Sequence, residues 1–151
     1  MRIVFLGSGD FGLPTARWLA SHHELVGVVT QPDKPAGRKR QLKATAIGEW
    51  AAEAGYPVIK TSDCNSDEAI EQVRALKPEA GVVIAFGQKL GPGLIEALGR
   101  LGVNLHGSLL PKYRGAAPIN WAVMAGERET GVSVIELAQR MDAGRILAQA
   151  S

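Results

Sequence analysis

Residues 2–21 read RIVFLGSGDFGLPTARWLAS: a short apolar run, a glycine-rich turn and a longer segment with helical periodicity. The β-branched and large apolar side chains of the first run predict a buried strand over Arg2–Leu6. Pro14 suits the first turn of the helix that follows. A strand that passes through glycines into a helix is the opening unit of a parallel α/β sheet, so this stretch decides the predicted fold class.

The same alternation continues to residue 105. Further strands are predicted at Leu25–Thr30, Val58–Lys60, Gly81–Ala85 and Val103–Leu105, with helices near residues 14–21, 44–54, 67–76 and 92–98. An irregular loop follows, then a helix over Ile119–Ala125 and strands over Val132–Leu137 and Arg145–Ala150. We predict a Rossmann-like, doubly wound α/β domain with a mainly parallel sheet. Because no helix follows the last strand, we expect the chain to be truncated at its C-terminus.

Charge narrows the classes of partner. The chain has 17 Lys and Arg residues against 15 Asp and Glu residues, a net charge too small to predict a general nucleic-acid coat. Residues 33–43, however, hold five basic residues and one acidic residue. Phosphates could be neutralised there, and a solvated basic loop is the alternative.

Cysteine usage and hydropathy predict the compartment. Cys64 is the only cysteine, which excludes an internal disulfide and leaves a cysteine metal cage unsupported. The early apolar run Ile3–Leu6 is far too short for a signal peptide or a membrane span. We therefore predict a cytoplasmic protein with no bound metal and no membrane partner.

The turn after the first strand, GSGDFG at residues 7–12, matches the GxGxxG pattern of nucleotide-binding loops. The glycines could instead serve only a tight turn and close helix packing. Asp33 stands at about the distance expected for a ribose-binding carboxylate, but it lies between two prolines in the basic loop. That placement argues against a dinucleotide site.

The strongest chemical pattern is GVNLHGSLLPKYRGAAP, residues 102–118. Asn104 and His106 alternate on one face of a strand, roughly 6.5–7 Å apart, at the end where α/β sites form. An amide that donates without losing a proton and an imidazole that titrates near neutral pH could hold an oxyanion and move protons. A polar loop junction is the alternative; His22 and His23, at a predicted helix end, are interpreted as structural.

Asp142 lies in Met141-Asp142-Ala143-Gly144, a common turn composition, between the last two predicted strands. It could be a turn residue only. If those strands return the turn to His106, its carboxylate could orient the imidazole and favour its charged form.

Residues 104–147, NLHGSLLPKYRGAAPINWAVMAGERETGVSVIELAQRMDAGRIL, strongly resemble the signature region of formyltransferases that use 10-formyltetrahydrofolate. The segments RIVFLGSGDFGLP and TQPDKPAGRKRQLK, residues 2–14 and 30–43, resemble the branch of that family whose substrate is initiator methionyl-tRNA. The resemblance implies a seven-stranded sheet and transfer of a formyl group from the folate to an amine, without a metal.

The resemblance also implies roles for particular residues. Asn104, His106 and Asp142 would be catalytic. The residues expected beside the folate cosubstrate are Phe86, Gly87, Gln88, Lys89, Leu90, Ser108, Leu109, Leu110 and Pro111. The residues expected to bind tRNA are Arg38, Lys39, Arg40 and Lys43.

The resemblance further implies that residues 1–151 form an N-terminal catalytic domain that continues past this point, with a C-terminal tRNA-binding barrel beyond it. A formyltransferase acting on a small amine, such as an amino sugar or a nucleotide, is the alternative enzyme. A fragment that binds folate or tRNA without turnover is the alternative outside catalysis. A monomer is favoured.

Overall fold

The computed structural model describes residues 1–36 and 41–151. The strands within these residues are β1 Arg2–Gly7, β2 Glu24–Thr30, β3 Lys34–Ala36, β4 Gln41–Lys43, β5 Val58–Lys60, β6 Ala80–Ile84, β7 Leu101–His106, β8 Val132–Glu136 and β9 Ile146–Ala150. The α-helices are α1 Leu13–His22, α2 Ala46–Glu53, α3 Asp67–Ala75, α4 Pro92–Ala97 and α5 Pro118–Met124. Every strand and helix predicted from the sequence is present, with ends that shift by one or two residues.

The main sheet has seven strands in the order β5-β2-β1-β6-β7-β8-β9. The first five strands in this order, β5, β2, β1, β6 and β7, are parallel to their neighbours. The pairs β7–β8 and β8–β9 are antiparallel. The predicted Rossmann-like, mainly parallel sheet is therefore confirmed. The sequence did not predict the separate hairpin of β3 and β4, whose three-residue strands include Pro35 and two lysines.

Helices cover both faces of the sheet because side chains alternate along each buried strand. Ile3 and Phe5 of β1 belong to the core cluster on the side of α1 and α2, while Val4 and Leu6 belong to the cluster with α3 and α4. The near-continuous apolar run at the start of the chain thus reflects a strand buried on both faces. No helix among the described residues combines the length and apolarity needed to cross a membrane.

The helices begin at residues with clear physical reasons. The Thr45 hydroxyl accepts from the Gly48 amide at 3.1 Å and caps α2, and the Ser66 hydroxyl accepts from the Ala69 amide at 3.2 Å and caps α3. Pro14 and Pro92 occupy the first turns of α1 and α4, where their missing amide hydrogens cost nothing. The two caps and the two prolines thus account for where these four helices begin.

The glycine-rich turn packs closely against the core. A Cβ at Gly7 would lie 2.5 Å from Phe5 Cε1 and 2.9 Å from the Ile84 carbonyl oxygen, whereas a Cβ at Gly9 would meet nothing within 4 Å. Asp33 pairs with Lys60 at 2.7 Å. The contacts of Gly7 and the pairing of Asp33 favour the turn interpretation over a dinucleotide site.

Replacing Gly7 with Ala is expected to lower the free energy of unfolding by about 1–3 kcal/mol, because the added methyl group must displace Phe5 or strand β6. Gly9→Ala is the matched control in the same turn, and we expect it to change stability by less than about 0.5 kcal/mol. Urea unfolding of both variants measures the difference. Equal losses of stability would contradict the close packing at Gly7.

Candidate active site

A cavity of about 570 Å³ opens at the carboxyl ends of β6 and β7. This edge lies beside the point where the strand order reverses around β1, which is where ligands bind in open α/β sheets. Its apolar walls include Phe11, Val83, Leu90, Ile95, Leu105, Ile119, Ile135 and Leu137. Its volume falls within the roughly 300–1,000 Å³ of small-molecule sites.

Three polar side chains from distant parts of the chain meet in this cavity. The Asn104 amide nitrogen is 3.4 Å from Asp142 Oδ1, and His106 Nδ1 is 3.6 Å from Asp142 Oδ2. The side chains of His106 and Asp142 are only 6% and 9% exposed. The structure therefore brings together the three residues for which a catalytic role was predicted.

Asp142 reaches the cavity because β8 and β9 form an antiparallel hairpin beside β7. Strand β8 pairs antiparallel with β7, so that Ser133 lies opposite His106 and Ile135 lies opposite Asn104. Asp142 itself has φ +50°, in the left-handed region that Asp tolerates better than most residues. Gly144 passes so close to β8 that a Cβ there would collide with the Glu136 carbonyl oxygen, so the return of the chain requires glycine.

The carboxylate of Asp142 is held by backbone as well as side chains. The Gly115 amide donates to Asp142 Oδ2 at 2.8 Å, from the loop that follows β7. Asn104 donates to the other oxygen at the longer distance given above. The orientation of the carboxylate is thus set from two sides before any ligand enters.

A hydrogen bond at Nε2 fixes the orientation of the His106 ring. His106 Nε2 lies 2.8 Å from the Tyr113 carbonyl oxygen. A carbonyl oxygen can only accept, so Nε2 carries a hydrogen and donates it. Protons can therefore be gained or lost only at Nδ1, the nitrogen that faces Asp142, and 3.6 Å is too long for a direct hydrogen bond. A water or a substrate atom beside the pair could hydrogen-bond to both groups.

The loop Phe86–Leu90, predicted beside the folate, lines the cavity. Its backbone is braced from behind: the Phe86 carbonyl accepts from Gln31 Nε2 at 2.9 Å and from the Ser8 hydroxyl at 3.2 Å. Gln88 accepts from the Cys64 amide and donates to the Thr61 carbonyl, both at 2.8 Å. The side chain of Gln88 therefore hydrogen-bonds to backbone groups of the protein at both its oxygen and its nitrogen.

Ser108, Leu109, Leu110 and Pro111, also predicted beside the folate, do not line this cavity. Ser108 is fully buried and donates to the Lys112 carbonyl at 2.6 Å. The Ser133 hydroxyl donates to the Ser108 carbonyl at 2.7 Å and accepts from the Leu110 amide at 3.0 Å. These contacts brace the loop that carries Tyr113 and Gly115, and contact with folate stays a prediction.

Of the residues predicted to bind tRNA, Arg38, Lys39 and Arg40 lie outside the described residues. Lys43 is exposed on β4 and pairs in register with Lys34 of β3. The Lys34 ammonium donates to Gln31 Oε1 at 2.6 Å, and Gln31 also holds the Phe86 carbonyl. The basic hairpin is therefore linked to the cavity loop through one glutamine that no sequence motif indicated.

The other residues considered from the sequence, the possible metal ligands, Cys64 and His22, lie in settings that indicate no catalytic role. Within residues 1–36 and 41–151, no group of three or more His, Cys, Asp and Glu side chains could hold a metal ion. Burial raises the pKa of the Cys64 thiol, and the charge of Asp63 acts in the same direction. His22 stacks on Trp18 at the end of α1, with ring centres 4.2 Å apart.

Comparisons with known proteins agree with this geometry. The Formyl transferase family model matches residues 1–151. The methionyl-tRNA formyltransferase of Moorella thermoacetica is 47% identical over 150 residues, which are 99% of this chain and 48% of that protein. The protein of the same name from Akkermansia muciniphila is 44% identical over 151 residues, which are 100% of this chain and 48% of that protein. The chain thus spans about half the length of these curated relatives.

A solved structure gives the same result for the fold. The phosphoribosylglycinamide formyltransferase of Bacillus halodurans superposes with a TM-score of 0.80 at 26% identity, covering 99% of this chain and 78% of that one. Because the family match extends over residues 1–151 and the folds agree, the chain belongs to the formyl transferase family.

Proposed function

We propose that this chain forms the N-terminal catalytic part of an enzyme that transfers a formyl group from 10-formyltetrahydrofolate to the amino group of methionyl initiator tRNA, for translation initiation. The observation that carries the proposal is the convergence of Asn104, His106 and Asp142 on one cavity. The choice of acceptor is supported by the 44–47% identity to relatives named methionyl-tRNA formyltransferase. We place the reaction in the cytoplasm, in keeping with a single buried cysteine.

The cavity fits a folate cosubstrate in size and chemistry. Its volume of about 570 Å³ and its apolar walls suit a flat heterocycle, and the backbone of residues 86–90 offers hydrogen-bonding groups along one side. The formyl group would then lie against the end of β7. When bound, the folate supplies the formyl carbon that the amine attacks. The bond between that carbon and the folate N10 breaks as the new amide forms, and N10 takes up a proton as tetrahydrofolate leaves.

The three polar side chains have distinct tasks in this proposal. The Asn104 amide donates a hydrogen bond to the carbonyl oxygen under attack, where negative charge develops. His106, protonated on both nitrogens, adds a second donor at Nδ1 while Tyr113 holds Nε2. Asp142 stabilises the charged imidazole and accepts, through water, the proton that the amine loses.

The basic residues of the β3–β4 region would position the acceptor by its phosphates. Such contacts give affinity that falls with salt and carry little base information. Lys34 and Lys43 lie opposite each other on the hairpin. Lys34 donates to Gln31, which in turn donates to the Phe86 carbonyl of the cavity loop. This placement would bring a bound acceptor arm towards the cavity.

A small-amine acceptor is the second candidate, favoured by the structural likeness to a phosphoribosylglycinamide formyltransferase. Formyl transfer by the full-length protein to charged initiator tRNA, glycinamide ribonucleotide and an amino sugar separates the two. We expect kcat/KM for the tRNA to exceed the others by at least about 10³-fold, because the phosphate contacts serve only the large acceptor. A preference for a small amine would overturn the tRNA assignment, and folate binding without transfer to any acceptor would overturn the catalytic proposal.

Removing the basic side chains of the hairpin region is expected to raise KM for the tRNA by about 10-fold at low salt and to leave folate affinity unchanged. The variant replaces Arg38, Lys39, Arg40 and Lys43 with Ala. The matched control replaces four exposed basic residues elsewhere, namely Arg17, Arg74, Arg100 and Arg128. Steady-state kinetics across a salt series measures both variants, and an equal rise in KM for the control would contradict a specific role.

A further inference from the structure

A polar cluster lies just outside the cavity, on the far side of the loop that holds His106. The Tyr113 hydroxyl donates to Glu127 Oε1 at 2.7 Å, and the Lys112 ammonium donates to the same oxygen at 3.0 Å. The Glu127 backbone amide donates to the Ala122 carbonyl at 3.1 Å, which ties the residue to the end of α5. Glu127 thus connects α5 to two adjacent residues of the loop after β7.

The same loop makes both backbone contacts that orient the proposed catalytic residues. The Tyr113 carbonyl accepts from His106 Nε2, and two residues later the Gly115 amide donates to Asp142. Lys112 is also held, because its carbonyl accepts from the buried Ser108 hydroxyl at 2.6 Å. A shift of residues 112–115 would therefore move the partners of His106 and Asp142 together.

The backbone of Tyr113 needs such support. Its φ of +55° lies in the left-handed region, which is uncommon for bulky side chains and persists only when the surroundings hold it. The carbonyl of Tyr113 can point at His106 only while the residue keeps this conformation. The bond from its hydroxyl to Glu127 fixes the opposite end of the same residue.

We propose that Glu127 is a positioning residue: by holding the side chains of Tyr113 and Lys112, it keeps the Tyr113 carbonyl on His106 Nε2 and the Gly115 amide on Asp142. The inference about catalysis rests on the proposed function, whereas the inference about the orientation of His106 rests on the contacts alone. A surface ion pair with no further role would contribute little to stability and nothing to the imidazole.

Charge at neutral pH fits this role. The hydrogen bond from Tyr113, followed by that from Lys112 and its positive charge, lowers the pKa of Glu127 below its ordinary value. A carboxylate whose pKa is lower in the folded state contributes stability above its ordinary pKa and loses that contribution as the pH falls through the folded value. We expect Glu127→Gln to lose less stability than the unaltered protein on acidification, measured by urea unfolding between about pH 7 and pH 3.

The decisive experiment follows His106 directly in the full-length protein. In ¹⁵N-edited NMR spectra, the Nε2 hydrogen of His106 should exchange slowly with water, because the Tyr113 carbonyl holds it and the His106 side chain is only 6% exposed. Glu127→Gln and Tyr113→Phe are each expected to speed that exchange by at least about 10-fold and to lower kcat by about 10-fold, with KM for folate changed less than about 2-fold. Glu129→Gln is the matched control and should change neither quantity, because Glu129 is an exposed carboxylate that lines a small surface pocket together with Tyr113 and Glu127.

The outcomes separate the two proposals. Unchanged exchange and kcat in both folded variants would overturn the positioning role, even if their melting temperatures fell. Absence of transfer by the unaltered protein would overturn the proposed function, while the exchange measurement still decides the role of Glu127. If Glu127→Gln does not fold, Tyr113→Phe decides alone, since it removes a single hydroxyl.

Discussion

Replacing His106 with Ala is expected to lower kcat/KM for formyl transfer by about 10³-fold, with the fold retained. In the proposed mechanism, the substitution removes the donor at Nδ1 and with it the cation that Asp142 would stabilise. It also leaves the Tyr113 carbonyl without its partner, which costs about 1 kcal/mol. Single-turnover transfer to charged initiator tRNA measures the chemical step, and circular dichroism confirms that the variant is folded.

A second histidine provides the control for that experiment. His22 stacks on Trp18 at the end of α1 and does not line the cavity, so His22→Ala should keep kcat/KM within about 2-fold of the unaltered protein. Transfer by His106→Ala within about 5-fold of normal would contradict the assigned role of the imidazole. His106→Gln fills more of the space left by the imidazole than Ala does. Near-normal transfer by this variant as well would show that collapse of the cavity around the Ala side chain had not rescued the activity.

The second large effect is expected at Asp142. Asp142→Ala should lower kcat by about 10²-fold and the free energy of unfolding by about 1–3 kcal/mol, because the Gly115 and Asn104 amides lose the oxygens of a carboxylate that is only 9% exposed. Asp142→Asn keeps the volume and one acceptor oxygen, so it should recover most of the stability but not the rate. Stopped-flow kinetics and urea unfolding measure the two quantities separately.

Asp10→Asn is the control, since Asp10 is an exposed carboxylate in the short 3-10 helix Asp10–Gly12 before α1. It should affect neither rate nor stability. Normal transfer by Asp142→Asn would show that a neutral group suffices beside His106, and the proposed route for the proton would then be wrong.

The sequence predicted the fold well because the strands buried on both faces leave strong local patterns. Arg2–Gly7 and Glu24–Thr30 are almost continuous apolar runs, and Pro14 and Pro92 mark helix starts that the structure contains. The β3–β4 hairpin was missed because three-residue strands with charges and proline have no periodicity to detect. Strands β3 and β4 pair because the rest of the fold brings them together, and their own residues have no strong preference for strand structure.

The candidate site was predictable only where side chains carry the chemistry. Asn104 and His106 stand two residues apart on a strand, and that spacing alone places them on one face. The Tyr113 carbonyl and the Gly115 amide act through the backbone, which every residue has, so no residue type indicates them. Gln31 and Glu127 matter through contacts with distant loops, and their local sequence contains no trace of those contacts.

Asp142 sits on the β8–β9 hairpin, 38 residues beyond Asn104, and this order along the chain has a consequence for biosynthesis. Ribosomes deliver a polypeptide from its N-terminus, so the parallel half with Asn104 and His106 is translated and leaves the ribosome before the hairpin with the carboxylate. At that stage the nascent chain has two of the three polar side chains of the cavity, and the side of the cavity formed by the hairpin is still missing. The three groups come together only when the late β8–β9 hairpin has formed and has paired with β7.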